Sequence, residues 1–131
     1  MRKVIIWGAG VGYERIINQI KFEIIKENIQ IQALVIRPED FVGERLDGFK
    51  VINKEEIFNY EFNYLIITSS KWYKEIWKEA RALGVEEKAI INGKIFLFPL
   101  FDFARYTKLI ENPITILSNN CWGGECIIGY I

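Results

Sequence analysis

The sequence predicts an α/β fold built on an open parallel sheet of five strands with helices on both faces, and three features predict it. Short, almost wholly apolar, β-branched runs recur along roughly the first hundred residues, and strands of that texture are buried on both faces, as in parallel sheets covered by helices. Segments with helical periodicity lie between them. The first run passes straight through a cluster of glycines into the first of these helices.

KVIIW (3–7) is the first strand. After Gly8-Ala9-Gly10-Val11-Gly12, the apolar residues Tyr13, Ile17, Ile20 and Ile24 fall at spacings of four, three and four, a stripe along a helix that ends near Asn28. IQALVI (31–36) repeats the buried-strand texture, and Pro38 keeps the residue before it out of the helical region. RPEDFVGERLDGF (37–49) mixes a proline, glycines and charges without a period and reads as a surface loop. KVIN (50–53) is a short strand, and Asn53 with Glu56 three residues later matches a capping arrangement that opens a short helix through Phe58. NYLIITSS (63–70) is a strand ending in hydroxyl residues. Ser69 or Ser70 can cap the helix that follows, whose Trp72, Ile76, Ala80 and Leu83 share one apolar face and whose end falls at Gly84. KAIIN (88–92) is the fifth strand, followed by GKIFLFP.

Strands alternating with helices imply right-handed crossovers and a Rossmann-like unit over residues 1–98. Past Pro99 the texture changes: LFDFARYTKLIEN (100–112) is a candidate helix and PITILSNN (113–120) a candidate strand. Residues 99–131 therefore read as a linker helix, a strand and the beginning of a second, partial domain.

Composition narrows the function. Half of the 131 residues are apolar or aromatic, enough for a core without metals or disulfides. Lysine plus arginine equals aspartate plus glutamate at 17 each, so no net field draws in nucleic acid or an anionic membrane. No apolar run approaches the roughly 18 to 20 residues that span a bilayer, and no signal peptide is evident, so the expectation is a cytoplasmic protein without membrane insertion. The chain has no histidine, which removes Ser-His-Asp triads, Cys-His pairs and histidine metal sites. Two cysteines spaced C-x4-C are too few for zinc, and no metal is expected. Cys121 has no histidine to form its thiolate, and no catalytic residue is identifiable.

The glycine loop is the motif with the clearest physics. In the dinucleotide fingerprint G-x-G-x-x-G, the glycines give a tight turn, a close approach to pyrophosphate and close helix packing. Gly8 and Gly10 match the first two positions; the third falls on Tyr13, and Gly12 comes one place early. If a phosphate-bearing ligand binds, it lies across the carboxyl ends of the strands, with Gly8, Ala9, Gly10, Val11 and Gly12 on one side and Thr68, Ser69 and Ser70 beside them. The acidic residue usual after the second strand is absent: Arg37 stands there, with Glu39 and Asp40 beyond Pro38. Arg37 is either a partner for the 2′-phosphate of an NADP-type ligand or a solvated residue leaving a strand. The loop itself is either a phosphate cradle or a tight turn now empty.

VIIWGAGVG, ALVIRPEDFVGERLDGFKVI and YLIITSS, in that order, resemble the Rossmann-like domains attached to bacterial sugar-modifying enzymes, such as the N-terminal domain of acetyltransferases acting on UDP-linked amino sugars. The resemblance covers residues 3 to about 98 and implies a nucleotide-sugar held by Gly8, Gly10, Gly12, Thr68 and Ser69. ILSNNCWGG (116–124) resembles the opening of a bacterial family found in exopolysaccharide and capsule biosynthesis proteins. That second resemblance implies that the chain is the N-terminal part of a longer protein. Asn119, Asn120, Cys121, Trp122, Gly123 and Gly124 then form either a binding loop between domains or a strand-to-helix turn.

Trp72, Tyr73 and Trp77 sit on one helix and Phe96, Phe98, Phe101 and Phe103 crowd the region after the fifth strand. Such aromatics serve as core or interface, or as a platform for base stacking. The 95–106 region is apolar enough to dock another subunit or domain, so a homo-oligomer or an intramolecular contact is expected there. Lys71, Lys74 and Lys78 read as a solvated face. The leading expectation is a nucleotide- or nucleotide-sugar-binding domain of a surface-polysaccharide biosynthesis protein. The alternatives are an NAD(P)-dependent oxidoreductase domain and a vacant scaffold for association.

Overall fold

The computed structural model describes residues 1–37, 39–41, 43–99 and 101–111. Its elements are β1 (Arg2–Trp7), α1 (Val11–Ile25), β2 (Ile29–Val35), β3 (Arg45–Leu46), β4 (Phe49–Ile52), β5 (Tyr64–Ile67), α2 (Tyr73–Leu83), β6 (Ile90–Asn92) and α3 (Phe103–Glu111), with 3₁₀ turns at Lys54–Asn59, Glu87–Ala89 and Gly93–Leu97. The chain divides into two units between Phe98 and Pro99.

The sheet runs β3-β4-β2-β1-β5-β6. Every neighbouring pair is parallel except β3 with β4. The apolar runs of β1, β2 and β5 form its centre because no other arrangement removes both of their faces from water. Ile5, Trp7, Ala33, Val35, Ile52 and Leu65 face one side and pack with Ile57, Val85 and the α2 residues Ile76, Ala80 and Leu83. The alternate residues Val4, Ile6, Leu34 and Ile66 are buried on the other side. There α1 buries Ile16, Ile17 and Ile20 and packs along the Gly93–Leu97 turn. α1 and α2 thus cover opposite faces of the sheet.

The expected boundaries shift in physically readable ways. The sheet has six strands rather than five. Within the stretch expected to be a surface loop, Arg45 pairs with Lys50 and Leu46 with Phe49 across a turn in which Asp47 (φ 54°) and Gly48 (φ 85°) are both left-handed. That is the geometry Asp-Gly favours in a two-residue hairpin. α1 ends at Ile25 rather than near Asn28, because Glu27 turns left-handed (φ 63°) and Asn28 already leads into β2. The short helix after Asn53 is a 3₁₀ turn, opened by the Asn53 N–H donating to Glu56 Oε1 at 3.0 Å. Trp72 precedes α2 instead of lying on its apolar face, and the last strand starts at Ile90 rather than Lys88. α2 ends at Gly84 as expected.

In the second unit, Asp102 opens α3: its Oδ1 accepts from the Arg105 N–H at 3.1 Å and its carbonyl from the Tyr106 N–H at 2.9 Å. The expected strand at 113–120 and the motif at 119–124 lie outside the described residues. Among the described residues no helix is long and apolar enough to cross a membrane.

Candidate functional site

β1 and β5 are neighbours in register, Trp7 opposite Ile67, so the turns that leave them lie side by side at the carboxyl edge of the sheet. Thr68 joins the two. Its N–H donates to the Trp7 carbonyl at 3.1 Å, and its hydroxyl is shared between the carbonyls of Trp7 at 3.1 Å and Gly8 at 3.0 Å. Gly8 donates its own N–H to the Val35 carbonyl at 3.0 Å, which ties the loop to β2 as well.

That closeness explains two of the three glycines. Gly8 has φ +113°, and a Cβ there would stand 2.5 Å from Thr68 Oγ1. A Cβ on Gly12 would run into the Thr68 carbonyl oxygen, with the carbonyl carbon only 2.9 Å away. Both positions need glycine so that the start of α1 can press against the end of β5. The fingerprint's close-packing role has therefore moved one place forward, from the position of Tyr13 to Gly12.

Gly10 is different. A Cβ there would meet nothing within 4 Å, and the residue is exposed. It caps α1 without a side chain to do so. The first bond into the helix is Glu14 N–H to the Gly10 carbonyl at 3.1 Å, so the amides of Val11, Gly12 and Tyr13 find no acceptor among the described residues. Three uncapped amides at the positive end of a 15-residue helix, beside the open space at Gly10, form an arrangement chemically suited to an anion.

Tyr13 takes the third fingerprint position without occupying the loop. It is 2 % exposed, and its hydroxyl donates to Asp47 Oδ2 at 2.7 Å in the β3–β4 turn. Burial, and then the bond and charge of Asp47, push its pKa above the ordinary tyrosine value. Asp47 is a contributor that sequence reasoning missed; the Asp-Gly turn signal was visible, but not its reach across 34 residues to α1.

The remaining predicted residues fall into distinct situations. Ser69 is committed as a cap: its Oγ accepts from the Trp72 N–H at 3.1 Å. Ser70 is exposed. Ala9 is half-buried in the loop and Val11 is exposed. Arg37 is exposed and engaged with its own neighbours, its Nε 2.9 Å from Asp40 Oδ2 and 3.9 Å from Glu39 Oε1. The Asp40 bond, ahead of the charges, raises its pKa. The acids sought after β2 thus pair with the arginine that stands in their place. Asn119, Asn120, Cys121, Trp122, Gly123 and Gly124 lie outside the described residues. Among the described residues no three His, Cys, Asp or Glu side chains are grouped to hold a metal.

These features define a mixed α/β protein whose central parallel strands end at an uncapped, glycine-lined helix start. The chain belongs to the C2185-like family, whose N-terminal model matches residues 1–91, a stretch that takes in β1 to the middle of β6. No curated protein matches it.

Proposed function

We propose that residues 1–98 are a Rossmann-like unit that binds a nucleotide or nucleotide-sugar through the phosphates at the start of α1. The observation that carries this reading is the open space over Gly10, set between two glycines whose packing leaves them no such freedom. The strand order supports it. β1 and β5 are adjacent, yet the helices that follow them cover opposite faces, and that point of reversal at the carboxyl edge is where ligands of open α/β sheets bind. Thr68 frames the site rather than donating to a ligand, since its hydroxyl is shared by two carbonyls. The likeness of ILSNNCWGG to exopolysaccharide and capsule biosynthesis proteins supports a nucleotide-sugar and a role in surface-polysaccharide synthesis.

An NAD(P)-dependent oxidoreductase domain is the less supported reading, because Arg37 would have to leave Asp40 to meet a 2′-phosphate. A vacant scaffold draws support from the structural roles of Gly8, Gly12 and Thr68, which account for most of the loop without a ligand.

Thermal-shift titration of the 131-residue chain separates the three. A native-state ligand at a hundred times its Kd adds about 2.7 kcal/mol of stability, a shift of several degrees. The expected result is a shift with UDP and UDP-sugars. A shift confined to NADP(H) and lost in Arg37→Ala would favour the oxidoreductase reading, and no shift with any nucleotide would favour the vacant scaffold.

A further inference from the structure

Two exposed large apolar side chains stand at the carboxyl edge beside the glycine loop. Val11, 66 % exposed, begins α1, and Trp72, 53 % exposed, immediately precedes α2. Short contacts link the two turns. A Cβ on Gly12 would lie 3.6 Å from Ser69 Cα, and Ser69 Oγ in turn accepts from the Trp72 N–H. Trp72 is therefore held one tight turn away from the loop. The fold does not use its ring in the way the sequence pattern suggests, because α2 packs through Ile76, Ala80 and Leu83 instead. Lys71 places its ammonium over the Trp72 ring, 5.2 Å from its centroid, so one face of the exposed indole carries a cation.

We infer that Trp72 is the platform on which the base of a nucleoside diphosphate stacks, on the face opposite Lys71, with the diphosphate at the start of α1. The inference rests on the nucleotide-binding reading above and adds which part of the ligand is recognised, and by what. A flat heteroaromatic base matches the indole in area and shape, and stacking of this kind tolerates any base because each presents a π face.

Isothermal titration of wild type, Trp72→Ala and Trp72→Phe with UDP, ADP and inorganic pyrophosphate tests this. Trp72 is exposed, so the variants are expected to melt with wild type, and a thermal melt of each checks that they do. The expected result is that Trp72→Ala weakens UDP and ADP by roughly tenfold or more, that Trp72→Phe retains most of the affinity, and that pyrophosphate is unaffected by either change. Unchanged nucleotide affinity in Trp72→Ala overturns the stacking role while leaving the nucleotide-binding reading intact. An equal loss for pyrophosphate and nucleotides also overturns it, because the residue would then act on the phosphate site. A wild-type protein that binds none of the three overturns both.

Discussion

The turns that leave β1 and β5 are adjacent, and both lead into helices without a side-chain cap, yet they differ in how tightly they are held. After β5, Thr68 spends its amide and hydroxyl on the carbonyls of Trp7 and Gly8, and Ser69 caps the Trp72 amide. After β1, the helix starts on a glycine that caps nothing, and the amides of Val11, Gly12 and Tyr13 stay without acceptors among the described residues. Buried or packed backbone groups are nearly always paired. α2 also starts without a side-chain cap, so what sets the turn after β1 apart is the open space over its cap residue, Gly10. The first turn is a frame, and the second is the part that the frame holds open.

The largest expected effect comes from breaking the contact between the two. In Gly12→Ala the new methyl would collide with the Thr68 carbonyl, a backbone atom that cannot swing aside. α1 would have to lift from β5, at a cost of about 3 kcal/mol, the upper part of the range for overpacked sites. Chemical denaturation should show the midpoint falling with an unchanged slope. A Gly12→Ala protein as stable as wild type would mean that the close approach is not what this glycine is for.

A smaller effect is expected on the frame itself. Thr68→Val keeps the shape of the side chain and removes the hydroxyl that bridges Trp7 and Gly8. The Trp7 carbonyl keeps the Thr68 amide, so only the Gly8 carbonyl loses its Thr68 donor. The loss should be about 1–2 kcal/mol by the same denaturation measurement. Since the hydroxyl is committed to the backbone, nucleotide affinity measured well below the melting temperature should change little. A large loss of affinity with intact stability would instead make Thr68 a ligand contact.

Local texture carried the central elements into view, and contacts between distant residues carried the rest out of it. VIIW and YLII announce β1 and β5 because strands buried on both faces need unbroken apolar runs. The capping pair Asn53 and Glu56 is legible because both partners fall within one turn. The β3–β4 hairpin was hidden in a charged stretch: its strands are two and four residues long, with Arg45 and Lys50 exposed, so no alternation announced them. At the site, the glycines were visible but not their division of labour. That depends on Thr68, some sixty residues from Gly8 along the chain. Tyr13 could be recognised as a departure from the fingerprint, whereas the reason it is harmless, a bond to Asp47, exists only in three dimensions.

Gly10→Ala gives the smallest effect on stability and the sharpest test of the comparison. The residue has φ −86° and ψ −148°, and a Cβ there meets nothing within 4 Å. The space is open and removing a glycine reduces the entropy of the unfolded chain, so stability should change by no more than about 1 kcal/mol. If the space above Gly10 is where a pyrophosphate approaches the backbone, the same methyl stands in its way, and the thermal shift produced by a nucleotide should disappear. Stability and binding then move independently at one residue, which separates a glycine kept for a ligand from the glycines kept for packing. A Gly10→Ala protein that still shifts fully with nucleotide would place the ligand elsewhere and leave the open turn without a function. A stability loss well beyond about 1 kcal/mol would instead show that the turn itself requires glycine at this position, as it does at Gly8 and Gly12.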